Sequence, residues 1–142
     1  MPKINVAVLP DRMPPRSPDA PPGVAVVIDV LRATTMMAAL LDAGAVCSGT
    51  DGGRSSEDEL AAGLLVDRLR TWTMTDTAED TADLATGSIG ASGGIEAALR
   101  RSFHAERLVG LGFDADVRFC AQLSVTRTVP ALNRRSGLIV PG

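Results

Sequence analysis

Hydrophobic residues follow two different periods along this chain, and each period predicts one type of element. Residues 3–9 alternate between apolar and other positions, which predicts a half-buried strand. Residues 24–30 (VAVVIDV) are apolar on both faces and predict a central strand. Residues 36–43 then repeat with helical spacing, and residues 45–48 return to the strand pattern. A strand, a helix and a strand in this order predict a parallel βαβ unit.

The second part of the chain predicts mainly helices. Residues 49–53 (GTDGG) predict a turn, and Ser56 with Glu59 fits a capping box at the start of a helix. The apolar face of that helix is expected to carry Leu60, Leu64, Leu65, Leu69 and Trp72. Residues 73–94 are small and polar, and they predict a weak short helix followed by a flexible loop around 86–94.

The C-terminal region predicts two more helices and two short strands. Residues 95–111 have a helical apolar pattern that ends before Gly112, and a short helix is expected over residues 114–123. The pattern of the longer helix consists of Ile95, Leu99, Phe103, Leu108 and Leu111. The predicted strands are residues 125–132 and 138–140.

Strands and helices that alternate without internal repeats predict a single α/β domain over residues 1–142. We expect a mixed or mostly parallel sheet flanked by helices, in an α/β/α layered arrangement. The proline-rich segment at residues 10–22 is expected to be a stiff surface connection. A chain of 142 residues buries about 70% of its unfolded surface, which is enough for one core.

Composition and charge exclude several classes of function. The net charge is −3, from 14 basic and 17 acidic residues, and no basic stripe indicates nucleic-acid binding. No apolar run approaches the roughly 18 residues that a membrane span needs, and the N-terminus lacks a signal-peptide pattern. Cys47 and Cys120 show no metal-ligand spacing. We therefore expect a reduced, cytoplasmic protein without a membrane or nucleic-acid partner.

The most informative polar segment is residues 29–35 (DVLRATT), between a buried strand and a helix. Ligands of open α/β sheets bind at such positions, and Asp29 needs a partner there. Together with Arg32, the hydroxyls of Thr34 and Thr35 and the start of a helix, this carboxylate fits a phosphate and magnesium site. The same residues also fit a structural Asp29–Arg32 ion pair with Thr34 as the helix cap. Spacing alone favours this second interpretation.

Two further segments have a chemical and a structural interpretation. Asp51 follows the next strand and could add a second carboxylate to the same metal site, although Asp-Gly is also a common turn sequence. Residues 87–94 (GSIGASGG) contain glycines like those of a dinucleotide-binding loop. The strand that such a loop must follow is absent from the sequence pattern, which favours a flexible loop.

The remaining titratable residues are interpreted structurally. His104, the single histidine, lies in a helical pattern and is expected to be on the helix surface or packed. Three consecutive acids are expected to interact with the positive start of a helix: Glu57, Asp58 and Glu59.

Three segments of the chain resemble, in family order, the 2-phosphosulfolactate phosphatases. The most specific is GVAVVIDVLRATT, followed by MMAALLDAGA, at residues 23–45. The segment VCSGTDGGRSSEDELAAGLLVDRL at residues 46–69 and the segment SFHAERLVGLGFDADVRFCAQLSVTRTVPAL at residues 102–132 resemble later parts of the family. The resemblance therefore covers most of the chain.

The resemblance implies a magnesium-dependent acid phosphatase of α/β architecture. Such an enzyme hydrolyses (2R)-2-phospho-3-sulfolactate to 3-sulfolactate and phosphate, a step towards coenzyme M. On this hypothesis Asp29 is the catalytic or metal-binding carboxylate and Asp51 a second Mg²⁺ ligand. The small anionic phosphate substrate is held by Arg32, Ala33, Thr34 and Thr35.

The chain departs from the family in its central region. Family members are longer and contain a Gly-Glu segment and a Thr-Asn-Gly-Thr-like segment there, whereas Ala45 here continues directly into Val46. An alternative is therefore a catalytically weak or inactive remnant that binds anions. A sheet without its interior strands also exposes edges, which favours a homodimer.

Overall fold

Four short strands form a parallel sheet in the structure, which is a computed structural model. The described residues are 3–7, 25–28, 44–47, 49–125, 130–132, 136 and 139–141. The strands, in the spatial order β2-β3-β1-β4, are β1 (Lys3–Ala7), β2 (Ala25–Ile28), β3 (Gly44–Cys47) and β4 (Thr73–Met74). The pairing of these strands places Ile28 beside Cys47 and Val6 beside Ala45.

The predicted N-terminal strands are confirmed where the structure describes them. β2 and β3 are adjacent and parallel, as the predicted βαβ unit requires. Because both strands run in one direction, the chain between them must return from one end of the sheet to the other. Three predicted segments lie outside the described residues: the proline-rich connection at 10–22, the polar segment at 29–35 and the helix at 36–43.

Helices make up most of the second half of the chain. Those in the described part are α1 (Ser56–Asp67), α2 (Asp76–Ser92), α3 (Ile95–Leu99), α4 (Phe103–Gly110) and α5 (Asp114–Cys120). The predicted C-terminal strands form an antiparallel hairpin of β5 (Pro130–Leu132) and β6 (Ile139–Pro141). No helix in the described part of the chain has both the length and the apolar character of a membrane span.

The start of α1 differs from the predicted capping box. Ser55, rather than Ser56, is the N-cap residue. Glu59 accepts hydrogen bonds from Nε and Nη2 of Arg54, each 2.6 Å long, instead of folding back on the helix start. A bidentate contact with a guanidinium group is charge-assisted, and it replaces the weaker hydrogen bond of the predicted motif.

The loop predicted around residues 86–94 is wrong, because α2 continues to Ser92 and only Gly93 and Gly94 leave the helix. The side chain of Thr75 caps α2 by accepting the backbone N–H of Ala78 at 3.3 Å. The residues that α2 buries are small: Ala78, Thr81, Ala82 and Ala85. Their close packing on α1 stabilises a helix whose sequence has low intrinsic helix propensity.

The single helix predicted over residues 95–111 is also wrong, because the chain forms α3 and α4 with a break at residues 100–102. Ser102 starts a new helix at this break. It has an extended backbone (φ −77, ψ 148), and its hydroxyl accepts the N–H of Ala105 at 3.2 Å. Serine side chains favour such caps over helix interiors. Gly112, with φ +91, follows α4 as predicted.

The core of the described residues consists mainly of small side chains. One cluster joins the end of β3 to α1 and α2: Cys47, Ala62, Val66, Ala78 and Ala82. A second cluster joins α1 and α2 to α3, α4 and α5: Leu60, Ala85, Ala98, Leu99, Ala105 and Val117. Phe103 and Leu111, which belong to the predicted apolar face, are 70% and 64% exposed, so the predicted face is not one continuous buried stripe.

Candidate functional site

The carboxyl ends of β2 and β3 lie side by side. Ile28, the last residue of β2, pairs with Cys47, the last residue of β3. The carboxyl ends of these two strands therefore lie at one edge of the sheet. The crevice at such an edge is the usual ligand site of open α/β sheets.

A tight turn follows β3 at this edge. The backbone N–H of Thr50 donates to the carbonyl of Gly53 at 2.9 Å, and Gly53 donates back at 2.7 Å. Asp51 and Gly52 have positive φ angles of 49° and 77°, as aspartate and glycine tolerate in tight turns. The turn predicted for GTDGG is confirmed. The Asp51 side chain is exposed.

Two acids in the first turn of α1 are buried rather than solvated. Glu57 is 3% exposed and Asp58 is 2% exposed. Asp58 accepts the backbone N–H of Gly49 at 3.1 Å, and this hydrogen bond joins the exit of β3 to the start of α1. The interpretation of these acids as helix-start charges describes their position but misses their contacts.

The most connected side chain at this edge belongs to His104 on α4. Its Nδ1 is in hydrogen-bond contact with Oε1 of Glu57. The Oγ1 atom of Thr50 lies 3.4 Å from each ring nitrogen. The side chain of His104 is 17% exposed and that of Glu57 is 4% exposed. We call these two residues the histidine–glutamate pair.

Hydrogen bonds keep Glu57 ionised despite its burial. Burial by itself raises the pKa of Glu57, but hydrogen bonds from the Ser55 hydroxyl, the Glu57 backbone N–H and His104 outweigh it. The pKa of this carboxyl therefore lies below its ordinary value. A buried carboxylate of this kind needs several donors, and here it has them.

The environment of Cys47 favours its neutral thiol, whereas the environment of Glu57 favours the charged carboxylate. Burial raises the pKa of its thiol to about 12, and the negative charges of Asp58 and Glu59 contribute to the increase. Because the thiolate is the reactive form, Cys47 is a core residue and not a nucleophile at this edge.

A cavity of about 250 Å³ is lined by residues of α1, α3 and α5, including Glu57, but by none of the turn residues 49–53. Most of its wall is aliphatic, including Leu60, Leu64 and Leu99, with Glu57 and Arg68 as its charged residues. An anionic ester would lose its hydration there without enough donors in return. The edge of the sheet is therefore the better candidate for phosphate chemistry.

Most of the predicted site lies outside the described residues: Asp29, Arg32, Ala33, Thr34 and Thr35. Within the described part of the chain, no group of three His, Cys, Asp or Glu side chains is placed to hold a metal ion. The Mg²⁺ site predicted from Asp29 and Asp51 therefore stays a prediction.

The histidine–glutamate pair is the feature that sequence reasoning missed. The two residues are 47 positions apart, and neither strand nor helix periodicity reports a contact over that distance. The sequence contains a partial signal for this pair: three consecutive acids follow a predicted strand and turn, and the chain has one histidine that could contact them.

The fold and this edge together define an α/β protein with polar side chains gathered at the carboxyl ends of parallel strands. Comparison with protein families identifies the lineage. The model of the 2-phosphosulpholactate phosphatase family matches residues 9–46 and 45–135. The chain belongs to this family. The two matched segments meet at residues 45–46, where the sequence analysis places the missing central region.

Curated relatives support the same assignment. A protein of Thermotoga maritima is 40% identical over 87 residues, which are 61% of this chain and 37% of the relative. A protein of Prochlorococcus marinus is 42% identical over 94 residues, or 60% and 37% of the two chains. One of Carboxydothermus hydrogenoformans is 36% identical over 103 residues, or 70% and 41%. Each is named a probable 2-phosphosulfolactate phosphatase. The chain thus matches well under half the length of these relatives.

Proposed function

We propose that this chain is a magnesium-dependent phosphatase that hydrolyses 2-phosphosulfolactate, or a similar small phosphorylated hydroxy acid, to sulfolactate and phosphate. Family membership is the observation that carries the proposal. The gathering of polar side chains at the exit of β3 supports it, because this is where an α/β sheet binds ligands.

Each residue of the proposed site has a defined task. Asp29 directly follows β2 in the chain and is the catalytic or metal-binding carboxylate, with Asp51 as a second metal ligand. The paired donors of Arg32 suit a phosphate group. The backbone and hydroxyl groups that complete the phosphate site come from Ala33, Thr34 and Thr35. Bound Mg²⁺ would neutralise phosphate charge and orient the attacking group.

The layered α/β/α arrangement is part of the same proposal. α1 packs against β3, and α2 packs against β1. The helix predicted over residues 36–43 belongs to the same proposal, and a phosphate near its start would be favoured. An anion at a helix start gains from unpaired N–H groups and the helix dipole.

The experiment compares phosphate release from 2-phosphosulfolactate with and without Mg²⁺. We expect release by the wild type to need Mg²⁺, and Asp29→Asn to lose at least about 100-fold in kcat. Asp80→Asn is a matched control, since Asp80 is an exposed acid on α2, and it should retain the wild-type rate. Equal rates for Asp29→Asn and the wild type would remove Asp29 from the mechanism.

The second candidate is a remnant that binds anions without turning them over. The specific observation in its favour is the interruption of the family match at residues 45–46. This candidate predicts that calorimetry detects phosphate binding while no phosphate is released from the ester. On this candidate the protein also forms a homodimer through its sheet edges. Light scattering would then give twice the mass of the monomer. Mg²⁺-dependent hydrolysis by purified protein excludes the inactive remnant.

A further inference from the structure

The contact with Glu57 determines which nitrogen of His104 is free to exchange a proton. Glu57 is an ionised acceptor, so the ring nitrogen that faces it, Nδ1, carries a proton. In the neutral ring the lone pair is therefore on Nε2. Glu57 itself is fixed by the Ser55 hydroxyl and by its own backbone N–H, so the orientation of the ring is fixed as well.

Nε2 lies beside the turn that follows β3, at the carboxyl end of that strand. Among the residues that the structure describes, the polar atom that Nε2 approaches is Oγ1 of Thr50, at 3.4 Å. Because Oγ1 is equally far from Nδ1, it is poorly aligned with either nitrogen. The ring is partly exposed, so a bound molecule can reach it.

We propose that His104 is the general acid of the ester hydrolysis, and that Glu57 is its positioning residue. This inference rests on the proposed function. It adds a proton-transfer group to a site that otherwise consists of carboxylates, a guanidinium group and hydroxyls. Its basis is the geometry of three chain segments: the turn after β3, the start of α1 and the start of α4.

The chemistry of an alkyl phosphate requires such a group. Hydrolysis breaks the bond between phosphorus and the alcohol oxygen and forms one bond between phosphorus and water. The leaving oxygen of an aliphatic alcohol is strongly basic, so it takes the proton that Nε2 carries in the protonated ring as the bond breaks. The attacking water keeps one hydrogen as a hydroxyl of the phosphate product and releases its other proton to solvent, because the attacking and leaving oxygens lie on opposite sides of phosphorus. Solvent then returns a proton to Nε2, and the ring ends as it began.

The first test varies the leaving group. His104→Gln should lose about 10²–10⁴-fold in kcat on 2-phosphosulfolactate. On p-nitrophenyl phosphate, whose leaving group needs no proton, the loss should stay within about tenfold. Glu106→Gln is the matched control, an exposed residue on the same helix, and it should match the wild type on both esters. Equal losses on the two esters, or no loss, would overturn the assignment.

The second test does not depend on turnover. The chain has one histidine, so its imidazole ¹⁵N signals need no assignment. We expect the neutral ring to be protonated on Nδ1, and Glu57→Gln to lose this preference and to lower kcat with little change in KM. Addition of inorganic phosphate with Mg²⁺ should shift the Nε2 signal.

The outcomes separate the two proposals. A wild type that hydrolyses the ester but shows no phosphate-dependent Nε2 shift overturns the role of His104 and leaves the proposed function standing. Protonation on Nε2 in the neutral ring likewise overturns the role of His104 alone. A wild type that releases phosphate from neither ester overturns both proposals together.

Discussion

His104 and Glu57 are 47 residues apart in the chain, and their side chains are in direct contact. The contact joins the first turn of α4 to the first turn of α1. Thr50 lies against the same ring, so the turn after β3 belongs to this arrangement too. One histidine therefore connects the edge of the sheet to the C-terminal helices.

The first prediction concerns the stability contributed by Glu57. Because its pKa is lowered on folding, Glu57 stabilises the fold above the ordinary glutamate pKa, and this contribution is lost as pH falls through the lowered value. Glu57→Gln should cost about 1–3 kcal/mol in the free energy of unfolding near pH 7, because the donors around it lose a charged acceptor. The cost should be smaller at an acidic pH below the lowered pKa of Glu57. Urea unfolding at both pH values measures it.

The control for this prediction is Glu79→Gln, at an exposed position on α2. It should change the free energy of unfolding by less than about 0.5 kcal/mol at either pH. A cost of Glu57→Gln that is the same at both pH values would contradict the ionised state of Glu57 in the fold.

The second prediction concerns the contact between α1 and α2. A Cβ atom on Gly63 would lie 2.4 Å from Cβ of Ala85 and 2.4 Å from the carbonyl oxygen of Thr81. Gly63→Ala should therefore force the helices apart and destabilise the protein by about 1–3 kcal/mol. Gly87→Ala is the matched control in α2, where an added Cβ meets nothing within 4 Å. It should stabilise by about 0.5–1 kcal/mol. Equal effects in urea unfolding would contradict this packing.

The third prediction concerns the two thiols. Cys47 is fully buried with a pKa raised to about 12, whereas Cys120 is exposed. Iodoacetamide should label the native protein on Cys120 alone, slowly, because partial burial also raises the pKa of Cys120. Cys47 should react only after unfolding, as mass spectrometry of the labelled chain would show. In Cys120→Ser, fast labelling of the native protein would disprove the burial of Cys47.

The fourth prediction concerns the break between α3 and α4. Ser102→Ala removes the cap of α4 and should cost about 1 kcal/mol in the free energy of unfolding. Ser88→Ala, at an exposed position in the interior of α2, should be nearly neutral. If α4 depends on this cap, the ¹⁵N signals of His104 should also move in Ser102→Ala. A neutral effect at Ser102 would show that packing alone defines the break.

Local patterns predict the first three strands and the turn after β3, but they miss β4 (Thr73–Met74), which lies in a segment whose pattern predicts a helix and a loop. β-branched and alternating residues identify β2 and β3, and Asp-Gly identifies the turn after β3. α2 was underestimated because its threonines, aspartates and glycines are weak helix formers. The close approach of Ala85 and Thr81 to Gly63 of α1 is a tertiary contact that no local pattern contains.

The candidate site was predicted only for its local part. Asp29 and Arg32 stand out because they follow a strand and precede a helix, so they can be found by spacing. The contact of His104 with Glu57 depends on how α4 returns to α1. The pattern over residues 95–111 predicts one continuous helix, so it does not indicate the break at Ser102 from which α4 starts. The burial of Glu57 also depends on packing between distant segments, so no local pattern predicts it.

The pairing of β1 has a consequence for the order of folding. β1 joins residues 44–46 on one side and residues 73–74 on the other. The chain must close loops of about 40 and 70 residues before β1 is hydrogen-bonded on both sides, and such closures are slow. The contact between α1 and α2 spans far fewer residues. In refolding we expect the helical signal to develop first, with protection of the β1 amides from hydrogen exchange arriving last.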